Sequence, residues 1–129
     1  MPLKTRSTRV SDHFVWGEFA MHDGTLPPPK LFAAARDLAL RYLEPLRLAY
    51  GPTTIVSGYR SADHNRAVGG APASRHVPAN EPGVAAADIV CRHGTPRQWY
   101  QLLAELSPGG LGLYTGHVHV DNRRGVARW

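Results

Sequence analysis

The sequence has one cysteine, no long apolar run and no apolar segment following its basic start. The single thiol, Cys91, excludes an internal disulfide and is typical of a protein made in a reducing compartment. No apolar stretch approaches the roughly 18 residues of a membrane-spanning helix. Because the start, MPLKTRSTRV, leads into no apolar segment, we expect no secretory signal peptide and synthesis in the cytoplasm.

What the chain does contain predicts one small globular domain. It has 129 residues, of which 43% are hydrophobic, so a single modest core is expected. A charged fraction of 19% and three tryptophans argue against a wholly disordered chain. We therefore predict one domain over residues 1–129, with residues 1–12 as a flexible polar tail and Trp16, Trp99 and Trp129 in the core.

The positive charge points to an anionic partner. The formal net charge is +5, and the candidates are nucleic acid, a membrane surface and a bacterial cell wall. Arginines are dispersed, apart from the pair Arg123-Arg124, and no basic helix interleaved with aromatic residues is present. We therefore expect no nucleic-acid partner.

Three segments have the spacing of helices. Residues 30–50 place leucines and alanines at helical intervals, although Pro45 is expected to kink or divide the helix. Ser61 is placed to cap a short helix over residues 61–68, and Thr95-Pro96 opens another over residues 96–106.

Segments rich in β-branched or alternating residues predict strands between and after these helices. Residues 53–58 and 85–91 are the first two strands. LGLY, HVHVD and VARW follow, with a hairpin joining the last two at residues 122–125. This order predicts an α+β domain in which helices pack against a small, mostly antiparallel sheet.

The segment HVHVD carries the most specific chemical signal. Side chains of a strand alternate between its two faces, so His117, His119 and Asp121 project from one face. Three polar side chains on one face cost desolvation energy unless they have partners. A zinc ion is the simplest partner for two imidazoles and a carboxylate.

An ordered set of motifs resembles the zinc D-Ala-D-Ala carboxypeptidase family. The set covers nearly the whole chain, from about Phe14 to Trp129, and its order is more specific than any one block. The blocks are Ser57-Gly58-Tyr59-Arg60-Ser61, His64-Asn65, Val68-Gly69-Gly70-Ala71, Ser74-Arg75-His76, Ala86-Ala87-Asp88-Ile89, Gly110-Leu111-Gly112-Leu113-Tyr114 and Val118-His119-Val120-Asp121. The resemblance implies a hedgehog/DD-peptidase-like fold.

The resemblance also implies a zinc site with three protein ligands, His76, Asp88 and His119, and one position left for water or substrate. Zinc would lower the pKa of that water enough to make it a nucleophile near neutral pH. Arg60 would hold a substrate carboxylate or carbonyl with its two-pronged donor geometry, and Ser74 would support the same end of the site.

Two further roles on the last strand follow from the resemblance. His117 would be catalytic, either by hydrogen bonding the oxyanion of the tetrahedral intermediate or by moving protons. Asp121 would orient a ligand imidazole from behind.

The chain departs from the family pattern at two places. Asp88 follows His76 by twelve residues, several more than is usual, which indicates an insertion in the loop over residues 77–84. Loop lengthening costs only about 0.6 kcal/mol per doubling, so zinc binding is expected to persist. Glu81 in this loop is interpreted as a solvated carboxylate, with a general base or an extra ligand as the alternative. Some relatives also place a glutamate shortly before the final histidine, whereas residues 113–116 contain no carboxylate.

Two functions of different classes follow from these residues. The first is a zinc peptidase that hydrolyses peptidoglycan stem peptides, as a D-Ala-D-Ala carboxypeptidase or a D,D- or L,D-endopeptidase. Such an enzyme would reach the wall during phage lysis or on a phage particle. The second is an inactive or structural wall-binding part of a phage particle that keeps the fold, with or without the zinc. For both, we expect a monomer acting at the bacterial cell wall.

Overall fold

A five-stranded sheet forms the centre of the computed structural model, which describes residues 4–129. The strands are β1 (Arg9–Ser11), β2 (Phe14–Val15), β3 (Thr53–Ser57), β4 (Ala86–Cys91), β5 (Gly110–Leu113), β6 (Val118–Asp121) and β7 (Ala127–Arg128). The first two form a small separate pair, and the other five lie in the order β3-β4-β6-β5-β7. Neighbours in the large sheet are antiparallel, except β5 and β7. The prediction of an α+β domain with a mostly antiparallel sheet is confirmed.

Helices and single turns surround this sheet. The α-helices are α1 (Phe32–Leu38), α2 (Glu44–Tyr50), α3 (Ala62–Ala67) and α4 (Pro96–Glu105), with 3-10 turns at Trp16–Phe19, Pro29–Leu31 and Pro78–Asn80. Two helices begin as predicted, because the hydroxyls of Ser61 and Thr95 accept hydrogen bonds from backbone N–H groups of the first turn. Within residues 4–129, no helix combines the length and the apolarity needed to cross a membrane.

The long helix predicted over residues 30–50 changes its winding before Pro45. α1 passes into a π-helical turn at Ala39–Leu43, and α2 begins at Glu44 with Pro45 in its first turn. Proline has no N–H, and its ring crowds the carbonyl group four residues earlier, which here belongs to Arg41. The wider π turn relieves this conflict, so Pro45 disturbs the helix without separating its halves.

The large sheet has an apolar face and a polar face. Val118, Val120 and Ile89 are fully buried and join the hydrophobic core with the helices. Asp88 and His119 alternate with these residues along β4 and β6 and therefore lie on the opposite face. The alternation separates the residues that pack from the residues that carry chemistry.

Two of the three tryptophans lie in the core as predicted, whereas the prediction for Trp129 is wrong. Trp16 and Trp99 are 1% and 3% exposed, but Trp129 is 45% exposed. Trp129 follows β7 at the edge of the sheet, and its ring occupies the space beside Gly112, where any side chain would collide with it. An edge position leaves part of the indole open to solvent.

The predicted hairpin between HVHVD and VARW is also wrong. β7 pairs in parallel with β5, with Gly110 opposite Ala127 and Leu111 opposite Arg128. Both edges of β6 are already occupied, by β4 and by β5, so the chain crosses to the remaining edge of β5. The hairpin that forms instead joins β5 and β6.

The prediction of a flexible tail over residues 1–12 does not hold from Arg9 onward. Residues 1–3 lie outside the described residues, but β1 pairs with β2 and Val10 is fully buried. Ser11 donates a hydrogen bond to the carboxylate of Glu44, which also accepts one from the backbone N–H of His13. These contacts fasten the segment to the start of α2.

We expect Glu44→Gln to lower the free energy of unfolding by about 1 kcal/mol at pH 7, because an amide cannot replace a carboxylate that accepts several hydrogen bonds. Burial opposes ionisation of Glu44, but the hydrogen bonds from Ser11 and His13 outweigh it and lower its pKa from the usual 4.5. A lowered folded pKa gives stability that is present above the unfolded pKa and is lost as the pH falls through the folded pKa. Urea unfolding should therefore show the difference from wild type shrinking below about pH 4.5.

The matched control is Glu105→Gln, which changes an exposed carboxylate at the end of α4. It should alter the free energy of unfolding by less than about 0.5 kcal/mol, both at pH 7 and below about pH 4.5. Equal losses in the two variants would contradict the assigned role of Glu44.

Candidate metal centre

Strand pairing places two of the candidate ligands opposite each other. Asp88 on β4 is the direct partner of His119 on β6, and Ser57 on β3 pairs with Asp88 from the other side. Side chains of directly paired residues start about 4.5–5.5 Å apart, which lets their tips meet. His76 enters from the loop after α3, and its Nδ1 lies 2.6 Å from the carbonyl oxygen of Gly58 at the end of β3.

One atom from each of these three side chains converges on a single region. Asp88 Oδ1 lies 3.1 Å from His76 Nε2 and 3.0 Å from His119 Nδ1, and the two nitrogens are 3.2 Å apart. The corners of a zinc tetrahedron are about 3.3 Å apart, given zinc–nitrogen bonds of about 2.0–2.1 Å. The residues are 4%, 8% and 5% exposed for His76, Asp88 and His119. Their separations and burial therefore suit one small cation.

Each imidazole also makes a hydrogen bond on the side away from Asp88, and this bond determines which ring nitrogen carries the hydrogen. The carbonyl of Gly58 only accepts, so Nδ1 of His76 carries the hydrogen and Nε2 keeps a lone pair. Asp121 accepts the Nε2–H of His119 at 2.6 Å, which leaves the lone pair on Nδ1. In these forms two nitrogen lone pairs and a carboxylate oxygen face one another, so either a metal ion or a proton shared with Asp88 lies between them. Zn²⁺ fits this donor set, because histidine nitrogen and carboxylate oxygen are among its usual ligands.

Asp121 is a fully buried carboxylate that contacts both His119 and Arg123. Its oxygens accept hydrogen bonds from Arg123 Nε at 2.8 Å, Nη2 at 2.6 Å and the backbone N–H at 3.0 Å. Burial would raise the pKa of Asp121, but the hydrogen bonds from Arg123 and His119 outweigh it and hold the pKa well below its usual range. Gly110 on β5 makes room, because a Cβ there would collide with the carboxylate. Asp121 therefore stays ionised while it holds His119.

Burial and hydrogen bonding also compete at Asp88 and His119. Burial opposes ionisation of Asp88, yet hydrogen bonds with His119 and His76 hold its pKa well below the usual range. Burial lowers the pKa of His119, but the carboxylates of Asp121 and Asp88 outweigh this and raise it. The two carboxylates thus make the pocket attractive to a cation.

The long loop between His76 and Asp88 is tied to its surroundings. Glu81 accepts a hydrogen bond from the backbone N–H of Arg124 at 3.0 Å and another from Nε of Arg75 at 3.0 Å. The Arg124 bond is the larger cause, and together they hold the pKa of Glu81 below its usual value despite partial burial. The interpretation of Glu81 as a solvated carboxylate does not hold. Its alternatives fail as well, because both oxygens are engaged by arginines and Glu81 lies outside the metal cluster.

The candidate ligands open onto a cleft of about 680 Å³, and the other predicted site residues line it too. These are Arg60, Ser74 and His117. The Ser74 hydroxyl oxygen accepts a hydrogen bond from the backbone N–H of His76 at 3.2 Å, so its own hydrogen can still be donated into the cleft. The residues predicted for the site therefore lie in this cleft or, for Asp121, directly behind it.

Arg60 reaches the edge of the metal site and is held there by two neighbours. Its Nη2 lies 3.7 Å from Asp88 Oδ2, while Nε and Nη1 donate to Ser57 Oγ and Asn65 Oδ1 at 3.2 Å each. Asn65 is itself 3% exposed and donates a hydrogen bond to the carbonyl of Ala71 at 2.9 Å. These contacts fix the guanidinium beside the ligands rather than leaving it to move in solvent.

His117 stacks against an aromatic wall beside the candidate ligands. Its Nε2 lies 3.9 Å from Asp88 Oδ2, and its ring is 4.3 Å from that of Tyr114 at an angle of 12°. The Tyr114 hydroxyl accepts a hydrogen bond from Trp129 Nε1 at 2.8 Å, and the Trp129 ring lies 5.0 Å from that of His119. Tyr114 and Trp129 therefore form a continuous wall along both histidines.

The sequence pattern does not single out three residues that complete this site, Arg123, Tyr114 and Trp129. In the sequence Arg123 registers only as positive charge, Tyr114 only as the last residue of a motif block, and Trp129 only as a predicted core residue. One signal is present in β5, where Gly110 and Gly112 alternate on the face that meets the site. Alternating glycines on one strand face indicate that large side chains from neighbouring strands lie against it.

The sequence around these residues also matches a known protein family. The family profile described as Peptidase M15 matches residues 13–121 of the chain. The chain belongs to the Peptidase M15 family. No curated protein and no solved structure matches it. The resemblance drawn from the motifs is thereby confirmed, and the match with the M15 family spans His76, Asp88 and His119. Membership of the M15 family indicates a metallopeptidase, for which these residues form a candidate zinc site.

We expect the purified M15 protein to bind one zinc ion per chain and the His76→Ala and His119→Ala variants to lose it, because two ligands cannot retain the ion. Asp121→Asn should keep the zinc but weaken its affinity by about 10–100-fold, since the amide orients His119 less well. Metal analysis after dialysis measures the stoichiometry, and competition with a chromophoric chelator measures the affinity.

The control for these variants is His93→Ala, which removes an exposed histidine after β4 and should bind zinc as wild type does. Circular dichroism confirms that each variant is folded. Wild-type zinc affinity in folded His119→Ala would contradict the assignment of the site.

Proposed function

We propose that the chain is a zinc-dependent peptidase that hydrolyses the stem peptides of peptidoglycan, as a D-Ala-D-Ala carboxypeptidase or a D,D- or L,D-endopeptidase. The observation that carries this proposal is the convergence of three cation-seeking ligand atoms beside an open cleft in a chain of the M15 family. A buried site closed on all sides would favour a structural metal, whereas a site beside a cleft leaves a position for substrate.

In this proposal His76, Asp88 and His119 hold the zinc. When bound, zinc supplies Lewis acidity that lowers the pKa of a water molecule and polarises a carbonyl group. The protein keeps the ligands in their binding form through Gly58 and Asp121, which hold the hydrogens of both imidazoles on the far side.

Arg60 orients the peptide in this proposal. Its Nε and Nη1 are engaged by Ser57 and Asn65, so Nη2 remains to donate to a substrate carboxylate or carbonyl. The 3.7 Å separation from Asp88 Oδ2 places this donor beside the ligands. Ser74 adds a hydroxyl to the same cleft, and the positive charges favour a peptide that carries carboxylates.

His117 is the proton carrier in this proposal. Among the described residues that line the cleft, it is the imidazole that is not one of the proposed ligands, and Asp88 is the one carboxylate. Stacking on Tyr114 orients its ring, and its Nε2 comes within 3.9 Å of Asp88. From there it can take a proton from the attacking water and return it to the leaving amine, or hydrogen bond the developing oxyanion.

The rival function is an inactive or structural wall-binding module of a phage particle that keeps the fold, with or without the metal, but turns over no substrate. The observation that favours it is the absence of a second carboxylate from the described lining of the cleft, since an aspartate or glutamate commonly serves as the general base. The same preparations that test hydrolysis decide between the two.

We expect the zinc-loaded protein to release peptides or new amino groups from purified peptidoglycan. A chelator should abolish the release, and added zinc should restore it, because the reaction depends on the metal. Mass spectrometry of the soluble products identifies the bond that is cut. Binding of one zinc per chain without any product from several types of peptidoglycan would support the rival function and overturn ours.

We expect His117→Gln to lower kcat at least about 100-fold while leaving zinc content unchanged, because it removes proton transfer but not a ligand. The control is Thr115→Ala, an exposed residue of the same turn that does not line the cleft and should retain wild-type kinetics. Wild-type kcat in zinc-loaded His117→Gln would remove His117 from the mechanism.

A further inference from the structure

Arg123 follows β6 and lines the candidate metal cleft without belonging to the cluster of candidate ligands. Its side chain is 16% exposed and contacts Asp121, which is fully buried. Three donors of this one residue reach that carboxylate. The backbone N–H and Nε donate to Oδ1 at 3.0 and 2.8 Å, and Nη2 donates to Oδ2 at 2.6 Å. A single neighbour in the chain therefore binds both oxygens of Asp121.

One oxygen of Asp121 serves two partners. Oδ2 accepts the hydrogen of His119 Nε2 at 2.6 Å and a hydrogen of Arg123 Nη2 at the same distance. Rotation of a carboxylate about its Cβ–Cγ bond is only weakly restricted, so an aspartate alone does not hold its oxygens in one place. The contacts of Arg123 with Oδ1 oppose this rotation. The direction of the hydrogen bond to His119 therefore depends on Arg123.

The guanidinium of Arg123 is itself held by two other segments. Its central carbon lies 5.3 Å from the centre of the Trp129 ring, which is a cation–π contact. The same indole ring lies 5.0 Å from the ring of His119. Gly109 lets the backbone approach β5, because a Cβ at this position would collide with the carbonyl oxygen of Arg123. These contacts place the donors of Arg123 before they meet Asp121.

The arrangement uses the shape of an arginine as well as its charge. Nε and Nη2 lie in one plane and are spaced to meet the two oxygens of a carboxylate. A lysine ammonium would keep the charge beside Asp121, but it is a point charge that lacks this fork and has no flat face to lie over Trp129. Charge and geometry can therefore be separated at position 123.

We propose that Arg123 is a positioning residue for the metal, which acts through Asp121 to fix the ring of His119 and so raises the affinity of the site for zinc. This inference rests on the zinc site of the proposed function and adds one residue to it. By charge alone, Arg123 would repel a second cation nearby. A gain in zinc affinity from this residue is therefore the mark of orientation.

The test measures the zinc affinity of Arg123→Lys by competition with a chromophoric chelator. The substitution keeps the positive charge beside Asp121, so the buried carboxylate still has a partner. We expect the affinity to fall about tenfold, because a partner that orients a ligand imidazole contributes about 10–100-fold to metal binding. Circular dichroism and urea unfolding without zinc show that the variant is folded.

The matched control is Arg124→Lys, which makes the same change one residue further along the chain. The side chain of Arg124 is 74% exposed, lies beside Glu81 and does not line the metal cleft. This variant should bind zinc as wild type does.

A double-mutant cycle with Asp121→Asn shows whether Arg123 acts through Asp121. Adding Arg123→Lys to Asp121→Asn should change the zinc affinity by less than about twofold, because the link to His119 is already broken. The double variant also has no buried carboxylate left to be unpaired. A residue that only stabilised the fold would lower the free energy of unfolding and leave the zinc affinity of the folded chain unchanged.

Two outcomes would overturn the inference. One is wild-type zinc affinity in folded Arg123→Lys. The other is a further tenfold loss when Arg123→Lys is added to Asp121→Asn, since Arg123 would then act by another route. Every readout is metal binding, so the result does not depend on turnover. Weakened zinc binding by Arg123→Lys in a protein that hydrolyses no peptidoglycan would overturn the proposed peptidase and still support the role of Arg123.

Discussion

The pairing of β4 with β6 is the constraint on which the candidate site depends. This register sets Asp88 against His119 on the polar face and Ile89 against Val118 on the core face. A slip of one residue would exchange the faces, so the polar side chains would enter the core and the apolar ones would meet solvent. The hydrophobic packing that holds the sheet on its helices therefore also fixes the separation of two candidate metal ligands.

Paired charges then allow these polar groups to remain buried. Arg123 contacts Asp121 directly, and Arg60 lies beside Asp88, so each carboxylate has a guanidinium within reach. Removal of one partner from a buried pair leaves an unpaired charge and costs about 3–5 kcal/mol. Asp121 and the Gly58 carbonyl hold the two histidines in forms that offer lone pairs to a cation, so stability and proposed chemistry rest on one network.

The lengthened loop between His76 and Asp88 is held in place by its own polar side chains. Glu81 and Asn80 tie this loop to the chain on both sides, so its extra residues form a surface instead of disturbing His76. The loop therefore lengthens while β4 and β6 keep the register that sets Asp88 against His119.

The sequence by itself determined the helix caps at Ser61 and Thr95, the main strands and the alternation in HVHVD, because these depend on neighbours within a few residues. Its ordered motifs also named the side chains that gather at the cleft. Only the tertiary structure decided the parallel pairing of β7, the exposure of Trp129, the engagement of Glu81 by two arginines and the hydrogen bond of His76 to Gly58. The physical reason is that each of these depends on which sheet edge is vacant, or on which donor and acceptor meet from distant segments, and local spacing carries no record of either.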